Sequence, residues 1–513
     1  MIQVMLWFPV AVGLLCFVVP RRGVRILPVA GTLFVLVLAI VLVAGFDAGV
    51  TGLQHPVDES WIPDLGVRYQ LGVDGISIFL VLLTALLWAA ATLFSAFRPP
   101  ERPRLYFFML GLAETATLGA FLAQDLLLFV LFFDLMLVPF YFLIGAWGSG
   151  DRIAATTKMI VYTLVGSLLM LVAAIATAIL ASDQVGELSF SLSDLRANVL
   201  GEGSQDWIFW FFAAAFLVKM PAFLVHGWMP DAYRAAPLPV LALLSGVLAK
   251  VGAYGFLRIV LPLYPDAALQ FQDVVLAIAV ASILYGSIMA FTQTNVRLVA
   301  GFSSVAQLGF ITLGIFSLRP DGADGAVLQM VNHGLVVAPV FLIIALLAER
   351  SGTEDLREMG GMATRAPVLA AMFLIVTLAL LAMPGSANFI GEFFILNGTF
   401  QAKIGFAIVA IVGAALAAFY AIRLYQRTMH NRLPDGVESR EISVPDSLAV
   451  APLVACIVAL ALYPGLILHR GEASVDLSLA AVCEGGTYYN SSGNRYTIIF
   501  FDCPGPEQPV AQR

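Results

Sequence analysis

Four side chains that can gain or lose a proton lie where water is scarce. Lys219 and Lys250 each occupy the middle of an apolar run long enough to cross a bilayer, with a short polar turn between the runs. Asp134 and Glu392 sit in other such runs. A lysine at the centre of a spanning helix costs about 2.5–3.5 kcal/mol on insertion scales, so an ionisable group at that depth points to function, usually with a partner of opposite charge. The chemistry open to this set is acid–base. An ammonium beside a carboxylate keeps both charged, separation pushes each towards neutrality, and opening and closing such a pair therefore moves a proton. The competing reading is a static ion pair that fixes helix packing.

Lys250 has no carboxylate three or four residues away on its own helix, where side chains meet, so it reads as a lone buried amine able to exchange a proton with water. Snorkelling to an interface is the alternative. Glu114 is a further mid-span acid, either a relay member or a helix–helix hydrogen-bond partner. His333 and His226 titrate nearest neutral pH and suit a proton shuttle, against the commoner role of a packed histidine.

These groups need helices to carry them. Of 513 residues, 60% are hydrophobic and only 12% charged, where soluble domains hold roughly 25% charge. The chain is expected to be an all-α polytopic membrane protein in a lipid bilayer, with about fourteen spans by a ~19-residue window. They run at 3–19, 26–46, 75–97, 105–123, 125–147, 159–181, 207–226, 237–261, 272–292, 298–318, 325–348, 367–393, 404–426 and 447–468. The first lacks a basic leader and a small-residue cleavage site, and is expected to be a permanent helix. Pro221, two residues after Lys219, should break the seventh span, and Met383-Pro384-Gly385 should interrupt the twelfth before Glu392. Broken helices at this depth are tolerated where they line a hydrated cavity.

Met220-Pro221 and Arg258 recur as Met383-Pro384 and Arg423, offset by 163 and 165 positions. That offset equals an odd number of spans, so the two units would be inverted relative to each other. The expected division is 1–104 (helices 1–3), 105–261 and 272–426 (two inverted repeats, helices 4–8 and 9–13), 447–468 (helix 14) and a tail, 469–513. Alternate loops carry seventeen and five Lys/Arg residues, which puts the richer set in the cytoplasm and both termini on the external face.

The net charge of -7 argues against nucleic acid as a partner. The four cysteines form no CxxC and no cluster with histidine, so no cofactor or metal is expected in this chain, and redox chemistry would belong to another. In the tail, Thr487 to Phe501 reads as a β-hairpin around Asn-Ser-Ser-Gly-Asn, flanked by Cys483 and Cys503. On the external side those two would form a disulfide.

Beyond composition, the chain resembles the antiporter-like membrane subunits of respiratory complex I, most closely the M (subunit 4) branch. The resemblance rests on LGVDGIS (71–77), FFDLMLVPFYFLIGAWG (132–148) with RIAATTKMIVYTLVGSLLML (152–171), VKMPAFLVHGWMPDAY (218–233), LLSGVLAKVGAYGFLR (243–258), NHGL (332–335) and AMPGSANFIGEF (382–393). It implies a proton-translocating subunit of an NADH-quinone oxidoreductase in a bacterial-type plasma membrane, assembled with sister antiporter-like subunits, with quinone reduction elsewhere in the complex. It also implies a relay in which Asp134 pairs with Lys219, and in which Lys250, His333 and Glu392 continue the line. Three positions depart from that pattern. Asp134 stands in place of glutamate, so contact with Lys219 would need water or a helix shift. Gln307 replaces a histidine, and Asn295-Val296-Arg297 replaces an acidic and doubly basic loop. The other readings are the large subunit of an Mrp-type sodium/proton antiporter or of a membrane-bound hydrogenase, and a membrane scaffold with static buried pairs.

Overall fold

A computed structural model describes residues 1–20, 22–50, 52–431, 440–483, 487–489 and 495–497. Eleven helices among them are long and apolar enough to cross a membrane, and the chain is a polytopic membrane protein. Enclosure by neighbouring helices separates them into two kinds. Leu238–Leu263, Val296–Ile315 and Pro320–Ser351 are wrapped almost entirely by protein, whereas Gly23–Ala44 and Ile404–Met429 turn most of their apolar surface outward. Lys250, Gln307 and His333 ride on the three enclosed helices, so each is kept from lipid by its neighbours.

Close approach of these helices depends on missing side chains. A Cβ on Gly334 would meet the Gly246 carbonyl oxygen at 2.6 Å and Leu83 Cδ2 at 2.6 Å, and a Cβ on Gly246 would meet Leu87 Cδ1 at 2.6 Å. Small residues at such crossings let backbones come together in a bilayer, where no hydrophobic force drives the packing. The same two glycines sit next in sequence to Ser245 and His333, so the tight crossing also sets the polar groups. At one rim of the bundle Arg98 bonds Asp446 at 2.6 Å and Glu349 at 2.9 Å, joining three helices. Asn295 caps Val296–Ile315 by accepting from the Arg297 and Leu298 amides, and Arg297 pairs with Glu354 at 2.5 Å. The single basic residue of that loop is thus fully engaged.

Two elements escape the apolar pattern. Gln54–Ile62 and Val67–Val73 form an antiparallel hairpin with Asp58 opposite Gln70 and Glu59 opposite Tyr69, so the chain is mostly helical rather than all-α. Pro56 and several charges hid the first strand. They are admissible because this is a two-stranded edge, and the ladder slips between Gln54 and Val57, around Pro56. The second is Gly465–Cys483, a helix occupying the first part of what sequence assigns to the tail. Beyond it, Thr487–Tyr489 pairs antiparallel with Arg495–Thr497. The expected Cys483–Cys503 disulfide falls outside the described side chains.

The Gly334 crossing makes a prediction. Gly334→Val forces the backbones apart, and overpacking of this kind costs about 1–3 kcal/mol. The variant is expected to melt at lower temperature and to be depleted from the purified assembly; an unchanged melt contradicts the close-packed crossing.

Candidate functional site

Pro221 supplies no amide hydrogen to the Leu217 carbonyl four residues back, and the helix Glu202–Lys219 stops just before it. The Ala222 amide takes that carbonyl at 3.0 Å, and the Trp228 indole caps the neighbouring Val218 carbonyl at 3.0 Å. Leu224 adopts a positive φ of 79° as the chain turns. Lys219 therefore occupies the last turn of its helix, where the negative end of the helix dipole favours a cation. Its Nζ donates to the Phe133 carbonyl at 3.4 Å and lies 4.5 Å from the centre of the Phe133 ring.

Asp134 is the next residue, yet it forms no ion pair with Lys219. The two are close enough to interact electrostatically, but Asp134 Oδ1 has no hydrogen-bond partner. The helix carrying it is interrupted at Met136, between Leu126–Leu135 and Leu137–Trp147, because Pro139 cannot donate to the Leu135 carbonyl. The ammonium rests on a main-chain oxygen instead. A cavity of about 20 Å³ lies against Lys219, lined also by Tyr233, Thr163 and Trp228, room for about one water molecule.

Lys250 is fully enclosed. A π-helical turn, Leu244–Leu248, precedes it, and its Nζ donates to the Ser245 carbonyl at 2.5 Å. Such turns widen a helix by one residue and cluster at functional positions. The Ser245 hydroxyl in turn lies 2.9 Å from that of Ser304 on the adjacent enclosed helix. His333, equally enclosed, feels the Lys250 charge, and neither of its ring nitrogens has a partner.

Glu392 lies beyond the second break, where Pro367–Leu380 ends and Ala387–Ala402 begins. Ala382 and Gly385 turn the chain there with φ of 53° and 92°. Glu392 Oε1 accepts from Gln307 Nε2 at 2.7 Å, and Gln307 Oε1 accepts from Gln329 Nε2 at 2.7 Å. Gln307 thus links two helices to the carboxylate. Asn332, beside His333, donates to the Ala387 carbonyl at 2.8 Å, tying the histidine's helix to that of Glu392. Gln329, Asn332, Asn388 and Tyr420 are all buried, and each keeps at least one polar side-chain atom without a partner. Sequence inspection missed this amide shell; lone Gln and Asn residues within otherwise apolar helices were its only signal.

The remaining two candidates stand apart. Glu114 is wholly buried with both oxygens unpartnered, against a cavity of about 10 Å³ shared with Thr32, Thr92 and Trp88. His226 is half-buried in the turn after the first break, its ring 4.7 Å from that of Tyr285 and 6.2 Å from that of Phe223. Among the described residues, neither is joined to Lys219, Lys250 or Glu392 by a hydrogen bond.

A multi-pass helical bundle with interior lysines, acids and histidine at broken and widened helices defines the class of antiporter-like membrane subunits. Residues 123–417 match the family described as NADH:quinone oxidoreductase/Mrp antiporter, transmembrane, and the chain belongs to it. It is 35% identical over 483 residues to NADH-quinone oxidoreductase subunit M of Rhodobacter capsulatus, covering 91% of this chain and 94% of that one. A chain of respiratory complex I from Thermus thermophilus superimposes with a TM-score of 0.87 at 30% identity, covering 94% of this chain and all of that one. The Mrp complex from Dietzia sp. DQ12-45-1b matches with a TM-score of 0.80 at 22% identity, a likeness of fold alone.

The Lys219 geometry carries its own test. In Asp134→Glu the added methylene restores reach, and a structure of that variant is expected to show Nζ within 4 Å of the carboxylate. An ammonium still resting on the Phe133 carbonyl would mean that the helix break, not side-chain length, holds the two apart.

Proposed function

We propose that this chain is a proton-translocating membrane subunit of an NADH-quinone oxidoreductase of the complex I type, working beside sister antiporter-like subunits and coupled to quinone reduction in other chains. Identity of 35% to a subunit M relative, against 22% to the Mrp chain, supports this assignment over the Mrp reading. The proposed fold has fourteen spans. Eleven long helices, the shorter Ile2–Leu15 and the broken segments around Lys219 and before Glu392 support that number. Segments 105–261 and 272–426 are read as inverted repeats, since each contains a helix broken at a Met-Pro pair, Met220-Pro221 and Met383-Pro384, near a buried ionisable group. Both termini are placed on the external face by the charge asymmetry of the loops.

Asp134, Lys219, Lys250, His333 and Glu392 form the proposed relay, with Glu114 and His226 as secondary members. The observation that carries this reading is how the charges are held. No counter-ion bonds either lysine among the described residues; backbone carbonyls and a glutamine side chain hold the groups instead. A neutral carbonyl partner accepts from an ammonium without fixing it in an ion pair, so proton loss does not strand an opposite charge. The unpartnered atoms of His333, Asn332, Asn388, Gln329 and Tyr420 support a hydrated interior. A buried polar group without a partner costs about 1–3 kcal/mol, and such groups are ordinarily met by ordered water making ~3 hydrogen bonds. Water between Lys250, His333 and Glu392 would complete a route in which each group accepts a proton from one neighbour and passes it to the next.

Lys219→Ala separates a relay from a scaffold. The complex is expected to assemble, proton pumping to be lost and NADH oxidation to fall because the two are coupled; undiminished pumping in the assembled complex refutes the relay. In Gln307→Leu, Glu392 and Gln329 both lose a partner, and pumping is expected to fall further than in Gln307→His, measured as protons moved per NADH oxidised. Equal ratios in the two variants would remove Gln307 from the account.

A further inference from the structure

Eight residues beyond Lys250, about 12 Å along the helix axis, Arg258 is buried in a network that the relay does not use. Its Nη1 bonds Asp74 Oδ2 at 2.5 Å, with both side chains almost wholly enclosed, and its Nη2 bonds Gln124 Oε1. Asp74 is held in turn: its Oδ1 accepts from the Ser77 amide at 3.0 Å and its own amide donates to Ser77 Oγ at 3.0 Å. Pro262 has no amide hydrogen for the Arg258 carbonyl four residues back, and Arg196 Nη2 takes that carbonyl at 3.0 Å. Two guanidinium groups thus face one carboxylate, an excess of one positive charge at the end of the bundle that carries the Gln54–Val73 hairpin. Burial first, and the neighbouring Arg258 charge second, bring the pKa of Arg196, in the connecting segment Leu192–Ala197, down to about 10.

Between this pair and Lys250 stands Tyr254, four residues from each, whose hydroxyl donates to the Phe121 carbonyl at 3.1 Å. Lys250, Tyr254 and Arg258 therefore make a polar sequence from the middle of the bundle to its hairpin end, and the last group in it carries a fixed charge. A guanidinium does not give up its proton at working pH, and a fixed cation in a narrow polar passage excludes protons and other cations. Meeting the Arg258 carbonyl needs a donor but not a charge, and one arginine balances Asp74, so packing alone does not call for a second guanidinium here.

We propose that Arg258, locked by Asp74 and backed by Arg196, is a cationic seal that prevents protons from running back along the Lys250–Tyr254 face at the hairpin end. The proposal rests on the relay reading. Asp74 supplies the lock, the Arg196 charge strengthens the seal, and the hairpin, through Asp74 at the end of its second strand, is the element that holds the lock in place.

The test is passive proton permeability of vesicles containing the whole complex, without NADH, followed as decay of an imposed pH gradient. The Asp74→Asn, Arg258→Gln double variant keeps amide hydrogen bonding and removes both charges of the pair. Its gradient is expected to decay several-fold faster than the native one, while Arg258→Lys, which keeps the charge, stays near native. Should the double variant fail to assemble, Arg196→Gln leaves the pair intact and is expected to raise the leak by a smaller factor. Native decay in the assembled double variant, or in Arg196→Gln where the double variant is lost, overturns the seal. The relay fails separately, if Lys219→Ala still pumps.

Discussion

Removing ionisable groups from water is the constraint on which the rest of the structure depends. Apart from Glu114, whose oxygens find no partner among the described residues, the enclosed ammonium and carboxylate groups are met in two distinct ways. At its rims it uses opposite charges: Arg98 with Asp446 and Glu349, Arg297 with Glu354, Arg258 with Asp74. In the middle it uses neutral oxygens and amides, so Lys219 rests on Phe133, Lys250 on Ser245 and Glu392 on Gln307. Ion pairs are stiff and costly to separate once desolvated. Neutral partners leave the protonation of the central groups free to change.

Two of the three neutral partners, the Phe133 and Ser245 carbonyls, sit where a helix is disturbed, whereas Gln307 reaches Glu392 from the continuous helix Val296–Ile315. Pro221 ends the helix of Lys219 in a position favourable to a cation, Pro139 interrupts the helix that offers the Phe133 carbonyl, and a π-helical turn precedes Lys250. The glycines at 246 and 334 then bring Ser245 and His333 to the same crossing. The breaks are therefore the means by which an apolar bundle presents polar backbone at mid-depth, tolerated because the freed groups are met inside the protein.

Much of this was legible beforehand. Long apolar runs announced the membrane bundle, and Met-Pro pairs beside charged residues announced the places where helices stop, since hydropathy and proline act locally. What stayed hidden depends on contacts between distant segments. Arg258 falls near the end of the expected span 237–261, and nothing in the sequence joins it to Asp74, 184 positions away, which the fold sets against it. Gln307 reads as the loss of a histidine, yet it is the side chain that meets Glu392. The hairpin at Gln54–Val73 was masked by charges that a two-stranded edge exposes without penalty. The Asp134–Lys219 pair, expected from resemblance, gives way to a contact between Lys219 and the Phe133 carbonyl, a detail set by helix placement and side-chain reach together.

The central claim is that the middle of this bundle is wet. Density at a resolution that shows ordered water, from the intact complex in lipid, tests it most directly. Water molecules hydrogen-bonded to Lys219, Lys250, His333 and Glu392, and joined through the Asn332–Asn388 and Gln307–Gln329 amides into a connected path, are the predicted result. Side chains packed dry against one another, with no hydrogen-bonded connection between the lysines and Glu392, would contradict the account.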